Sequence, residues 1–165
     1  MGTLILGIDP GTIITGYGVI EVTSTYRAID FGCIKPPSKA KLESRYLILF
    51  ESIESLIEKY QPDAISTETQ YVKKNVQSAI KLGMARGMVL LAAARNKVPF
   101  FEYTPSVAKK AVVGNGSASK NQVQKMTKAL LSLKSIPEPE DAADALALAI
   151  AHAHTIKTRK SCTNT

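Results

Sequence analysis

Residues 3–11 read Thr3-Leu4-Ile5-Leu6-Gly7-Ile8-Asp9-Pro10-Gly11. The stretch up to Ile8 is a short apolar run, as expected of a strand buried on both faces, and Pro10-Gly11 forces the chain to turn directly after Asp9. Alternation puts Asp9 on one face with Ile5 and Gly7, and the missing side chain of Gly7 leaves space beside the carboxylate. An ionisable group at the tip of a buried strand lies where α/β sheets place their ligands.

The next two runs, residues 16–22 (GYGVIEV) and 26–34 (YRAIDFGCI), read as strands joined through Thr23-Ser24-Thr25, a link short enough for a hairpin. Pro36-Pro37-Ser38 ends that unit. Leu42, Tyr46, Leu49, Phe50, Ile53, Leu56, Ile57 and Tyr60 then recur at helical intervals, and Pro62 closes the helix. Residues 63–68 return as a strand, 76–95 as a helix and 98–103 as a fifth strand. Thr104-Pro105 is a cap followed by a first helical residue. Gly114-Asn115-Gly116 breaks the short helix, and Ser119 with Gln122 forms a capping-box pattern for the next. A last helix is expected over 141–154, followed by a basic, frayed tail over 155–165. The order βββαβαβααα gives an α/β domain: a five-stranded mixed sheet with helices on both faces.

Composition narrows the class. The 165 residues make one domain. With 45% hydrophobic and 21% charged residues, the chain is neither disordered, collagenous nor an integral membrane protein. Cys33 and Cys162 are too few for a disulfide framework. The longest apolar run, residues 88–94, is far short of a bilayer span, and no basic residue precedes Arg27, so no charged leader is expected. A soluble, reduced, cytoplasmic protein without a membrane partner is the expectation. The net charge of +7 favours a polyanionic partner.

Against that basic background, four acids fall at strategic ends. Asp9 and Glu68 each end a strand, and Asp141 and Asp144 are three apart on one helix face. Ala142, Ala143 and Ala145 are small enough to let this helix pack close to the sheet. Singly, each acid has a plain structural reading: a turn residue at Asp9, a cap at Asp141, a solvated charge at Asp144. Glu68 fits such a reading poorly, because Glu is depleted in strands. Together they repel, by roughly 4 kcal/mol for two charges ~4 Å apart at an effective dielectric of ~20, unless a cation joins them or some stay protonated. Oxygen ligands select Mg²⁺ or Mn²⁺ over zinc. Without these four, 21 basic residues face 10 acidic ones, or +11. An acidic metal centre on so basic a surface suits phosphodiester chemistry, and Lys109 and Lys120 lie in the right part of the chain to assist.

These residues resemble the opening and later motifs of the bacterial RuvC family of Holliday junction resolvases. The likeness runs through Gly7-Ile8-Asp9-Pro10-Gly11-Thr12, Thr15-Gly16-Tyr17-Gly18, Lys74-Asn75, residues 81–87 (KLGMARG), Phe101-Glu102-Tyr103, Val112-Val113-Gly114 and Asp141-Ala142-Ala143-Asp144-Ala145-Leu146-Ala147, covering roughly 3–154. It implies an RNase H-like nuclease domain over 1–154. It also implies a homodimeric, Mg²⁺-dependent endonuclease, with two ions per subunit, that cuts opposed strands of a four-way DNA junction beside the branch-migration proteins RuvA and RuvB. The family's metal-binding acids fall on Asp9, Glu68, Asp141 and Asp144, its active-site lysines on Lys109 and Lys120, and its base-stacking aromatic on Tyr71. The run Glu68-Thr69-Gln70-Tyr71 departs from the usual pattern, in which Phe is familiar at the stacking position.

Lys73, Lys74, Asn75, Lys81 and Arg86 are read as a DNA-backbone track after Tyr71, against a plain reading as a solvated helix face. Gly83 and Gly87 form a small-residue stripe, suited to a helix of the dimer interface or to tight packing on the sheet. Gly16 and Gly18 allow either approach of a DNA backbone or the twist of the hairpin. His152 and His154 read as surface or tail residues, and Cys33 as a small core residue. Two other functions are weighed. Gly7-x-Asp9-x-Gly11-Thr12 also resembles the phosphate loop of actin-like ATPases, although such enzymes need far more chain. A junction-binding module that does not cut would gain affinity by losing the acids that this chain keeps.

Overall fold

The computed structural model describes residues 2–69 and 76–162, the side chains only as far as Ile156. Five strands, β1 (Thr3–Asp9), β2 (Thr15–Val22), β3 (Tyr26–Ile34), β4 (Ala64–Glu68) and β5 (Phe100–Tyr103), form one sheet in the order β3-β2-β1-β4-β5. β1, β2 and β3 pair antiparallel, as the hairpin reading requires, and β1, β4 and β5 pair parallel. The five-stranded mixed sheet is the one expected from the order of elements, and the RNase H-like fold is what the family resemblance implies.

Helices α1 (Leu42–Tyr60) and α2 (Val76–Arg95) cover one face. Leu49, Ile53, Ile57, Ala85 and Val89 pack there on Leu6, Ile8, Val19 and Ile65. Helices α3 (Pro105–Val113), α4 (Lys120–Leu130) and α5 (Glu140–Cys162) cover the other. Val112, Val123, Leu146, Ala149 and Ile150 pack there on Ile5 and Ile20. The caps behave as read. The Thr104 hydroxyl accepts from the Val107 N–H, and Ser119 and Gln122 close a reciprocal capping box.

α2 is long and apolar enough to cross a bilayer on length and composition alone. One stripe of it, Ala85, Val89, Ala92 and Ala93, is buried in the core that α1 and the sheet share, and Arg86 pairs with Glu102 of β5, while its other side is exposed.

α5 departs from expectation at both ends. It continues past His154 to Cys162, so the segment expected to fray extends the helix. Ile156, hidden in a polar and basic stretch of sequence, packs on the second core and anchors the added turns. At the other end the helix backbone lies directly on glycine. A Cβ on Gly7 would come 2.0 Å from the Ala145 carbonyl oxygen, one on Gly16 would come 2.0 Å from that of Asp141, and one on Gly18 would strike Leu146. The space beside Asp9 is therefore filled by α5, and Gly16 and Gly18 admit that helix in place of DNA. Buried Ala142, Ala143 and Ala145 supply the matching small surface.

Gly7→Ala should destabilise the protein by about 1–3 kcal/mol or more, since the obstacle is backbone and cannot rotate away. Urea unfolding with the metal chelated measures this. Wild-type stability would mean that α5 is not seated on Gly7.

Candidate active site

The register of β1 builds the site. Asp9 is the cross-strand partner of Gly16 on β2, and Gly16 is where the backbone of Asp141 rests. On the other side Ile8 is level with Thr67 of β4, so Asp9 and Glu68 emerge as neighbours at one edge of the sheet. One turn along α5 from Asp141, Asp144 points into the same region. Asp9, Glu68 and Asp144 line a cleft of about 180 Å³ together with Lys109 of α3 and Lys120 of α4. Lys110, adjacent to Lys109, is exposed and does not line it. Asp141 lies outside the lining, towards β2 and β3, where its charge reaches Asp9 and the half-buried Cys33 thiol. Cys33 therefore sits beside the acids and not in the core. Burial pushes its thiol above the usual range, and Asp141 adds to the effect.

The charges oppose one another. Asp9 is raised to about 7, first by burial and then by the charges of Asp144, Glu68 and Asp141. Asp144 is also raised by burial, against the lowering effect of Lys120. The Lys120 ammonium donates to Asp144 Oδ2 and to Glu140 Oε1, each at 2.8 Å. Burial alone would lower Lys120; the hydrogen bonds and charges of Asp144 and Glu140 outweigh it and hold the ammonium above the usual lysine range.

Among the described residues, no three His, Cys, Asp or Glu side chains are posed to share one ion. Asp144 is turned instead to the lysine cation. The donor set nonetheless fits a hard divalent ion: it is carboxylate oxygen throughout, and Asp9 carries an excess of neighbouring negative charge that a cation would relieve.

Other expected site residues divide. Tyr71, Lys73, Lys74 and Asn75 lie outside the described residues. Lys81 is exposed, and its carbonyl accepts from the Tyr46 hydroxyl at 2.9 Å. Arg86, expected on the DNA track, makes a two-pronged pair with Glu102 at 2.5 and 2.7 Å, which braces α2 against β5. His152, expected at the surface, is buried, with its Nδ1 2.7 Å from the Tyr103 hydroxyl and its ring 4.2 Å from that of Phe101. His154 is exposed and its ring lies 5.8 Å from that of Tyr26. Sequence reasoning missed Glu140, one residue before the paired aspartates, and the Tyr103–His152 contact. The apolar i−4 neighbour of His152, Leu148, was the available signal that its helix face points inward.

The family model for crossover junction endodeoxyribonuclease RuvC matches residues 5–152. The chain is 59% identical over 151 residues to the crossover junction endodeoxyribonuclease RuvC of Protochlamydia amoebophila, covering 91% of this chain and 90% of that one. It is 44% identical to that of Clostridioides difficile, covering 98% and 96%. Among solved structures, Thermus thermophilus RuvC superposes with a TM-score of 0.89 at 31% identity, covering 94% of this chain and 96% of that one. T. thermophilus RuvC in complex with Holliday junction substrate gives 0.87 at 29%, with the same coverage.

The raised Asp9 makes stability depend on pH. The native state keeps this proton to about pH 7, whereas the unfolded chain releases it near 3.8, so metal-free stability falls as pH rises through that interval. In EDTA, Asp9→Asn should raise the melting temperature at pH 8 and change it little at pH 4, at roughly 2–4 °C per kcal/mol of repulsion relieved. Mg²⁺ should narrow the gap at pH 8. A melting temperature for Asp9→Asn equal to or below wild type at pH 8 would show that Asp9 carries no such load.

Proposed function

The chain belongs to the RuvC family of crossover junction endodeoxyribonucleases, and from that membership we propose that it resolves four-way DNA junctions by paired, metal-dependent hydrolysis of phosphodiester bonds in two opposed strands. The observation that carries the reading is the meeting of Asp9, Glu68 and Asp144 with Lys109 and Lys120 in one cleft at the sheet edge. Neither a silent binder nor an ATPase fragment accounts for that set. A binder of polyanions gains nothing from repelling acids, and a phosphate loop has no use for carboxylates delivered by a late helix.

Asp9, Glu68, Asp141 and Asp144 would hold Mg²⁺, two ions per subunit, which supply Lewis-acid activation of water and neutralise charge on the departing 3′ oxygen. The chain's own residues bind and orient. β1 and β4 fix two carboxylates on strands, and α5 fixes two on a helix, so their backbones need not move when substrate arrives and only side chains such as Asp144 turn. Lys109 and Lys120 bring ammonium charge to the side of the cleft where the scissile phosphate would lie. Lys120, already hydrogen-bonded to Asp144, supports the charge that develops on the phosphate oxygens. Lys73, Lys74, Asn75 and Lys81 follow the DNA backbone away from the cut, and Tyr71 stacks on an unpaired base at the crossover. Arg86 belongs to the same track, its guanidinium braced from one side by Glu102.

A substrate with two-fold symmetry calls for two sites, and the outward face of α2 suits a homodimer. Val76, Ile80 and Met84 are exposed there, and Gly83 and Gly87 have open space beside them. A cytoplasmic setting and cooperation with RuvA and RuvB belong to the same reading.

Asp9→Asn, Glu68→Gln or Asp144→Asn should abolish cleavage of a labelled synthetic junction in Mg²⁺ while junction binding in EDTA persists. Wild-type cutting by any of them would remove that acid from the mechanism. Junction affinity should fall steeply with salt, with a logarithmic slope of about −0.9 per phosphate contacted; a flat salt dependence would remove the basic surface from DNA binding. Ile80→Glu should convert a dimer to a 17.8-kDa monomer in sedimentation, and an unchanged dimer would place the interface elsewhere.

A further inference from the structure

We propose that Glu140 is a positioning residue for Lys120: it keeps the ammonium at the rim of the cleft when Asp144 turns to a metal ion. The inference rests on the reading of Lys120 as an active-site lysine.

Lys120 has a fixed root and a loose stem. It is the first residue of α4, directly after the Ser119 cap, and the reciprocal Ser119–Gln122 bonds at 2.8 and 3.3 Å hold that turn. Its four-carbon side chain is half-exposed and would otherwise sample many rotamers. Two carboxylates remove that freedom. Glu140 opens α5 and Asp144 follows one turn later on the same face, so the ammonium is gripped between i and i+4, at 2.8 Å from each.

The two anchors differ in what else is asked of them. Asp144 lines the cleft and is a candidate ligand for the ion. Glu140 does not line the cleft, and its side chain is 58% exposed. Once Asp144 gives its oxygens to a divalent cation, it stops holding the lysine, and the ion repels the ammonium outward. Glu140 is then the carboxylate left in hydrogen-bonding reach. The plainer reading takes Glu140 as a first-turn acid that complements the helix dipole. That role affects stability alone and has no need of Lys120.

Acylation of Lys120 in the full chain, measured against exposed Lys110 by peptide mass spectrometry, separates the two. In EDTA, Lys120 should be protected in both wild type and Glu140→Gln, because Asp144 still holds it. In Mg²⁺, wild type should stay protected and Glu140→Gln should label about three- to fivefold faster, the scale of a surface ion pair. Equal labelling of the two proteins in Mg²⁺ overturns the proposal. Single-turnover cleavage should slow by a similar factor in Glu140→Gln with junction affinity not weakened, and the loss should vanish in a Lys120→Gln background. A loss that persists there shows Glu140 acting without Lys120, which also overturns it. If Lys120→Gln itself cuts at the wild-type rate, the catalytic reading of Lys120 fails, while the labelling still decides whether Glu140 holds the ammonium.

Discussion

The site depends on one helix lying on bare backbone. Gly7, Gly16 and Gly18 form a strip on β1 and β2 without side chains, and the alanine-rich start of α5 fills it. This close approach sets the height of α5 above the sheet and so the reach of Asp141 and Asp144 towards Asp9 and Glu68. A single methyl group in the strip would lift the helix by more than an ångström. Displacements of that size matter in catalysis, where about 1 Å of misplacement can cost on the order of a hundredfold in rate. The glycines are thus positioned by the needs of packing, and the chemistry inherits its geometry from them.

That packing forces like charges together, and the fold carries the cost. Asp9, half-buried beside three other acids, is the clearest sign: its proton is held to about pH 7. The two apolar clusters on either side of the sheet have to supply stability enough to keep the acids in place. Lys120 supplies part of the missing positive charge from within the chain. Repulsion of this kind is relieved wherever positive charge is brought among the acids, whatever the exact pose of each oxygen. The basic surplus elsewhere serves the opposite purpose, drawing a polyanion to a centre that would repel it.

Much of this was legible in the sequence because it rests on local rules. The three-and-four spacing from Leu42 to Tyr60, the Thr104-Pro105 and Ser119–Gln122 signals, and the strand-ending acids each depend on near neighbours, and each appears where read. The convergence of Asp9, Glu68 and Asp144 followed from topology, since parallel neighbours end at one edge. What escaped depended on distant partners. Nothing local distinguishes a glycine that admits DNA from one that admits a helix, and so Gly16 and Gly18 were open to either reading. The pairing of Arg86 with Glu102 joins a helix to a strand sixteen residues on, and no local pattern announces it. Ile156 is a single apolar residue in a basic stretch, too weak a pattern to extend a helix without the core beneath it.

His152 shows what such a distant partner adds. Tyr103 is level with Glu68 across β4 and β5, and its carbonyl accepts the Thr69 N–H at 2.9 Å, directly after the acid. The same tyrosine's hydroxyl meets His152 of α5 at 2.7 Å. One residue of β5 therefore touches both the strand end that carries Glu68 and the helix that carries Asp144. His152 thus adds a buried polar contact to the glycine strip near the start of α5. Between these two places Leu146, Ala149 and Ile150 pack into the second core, so α5 cannot shift without breaking buried contacts along its length. The spacing between the strand acids and the helix acids is thereby held by backbone packing at one end and a buried polar contact at the other, leaving the site's repulsion little freedom to spread it apart.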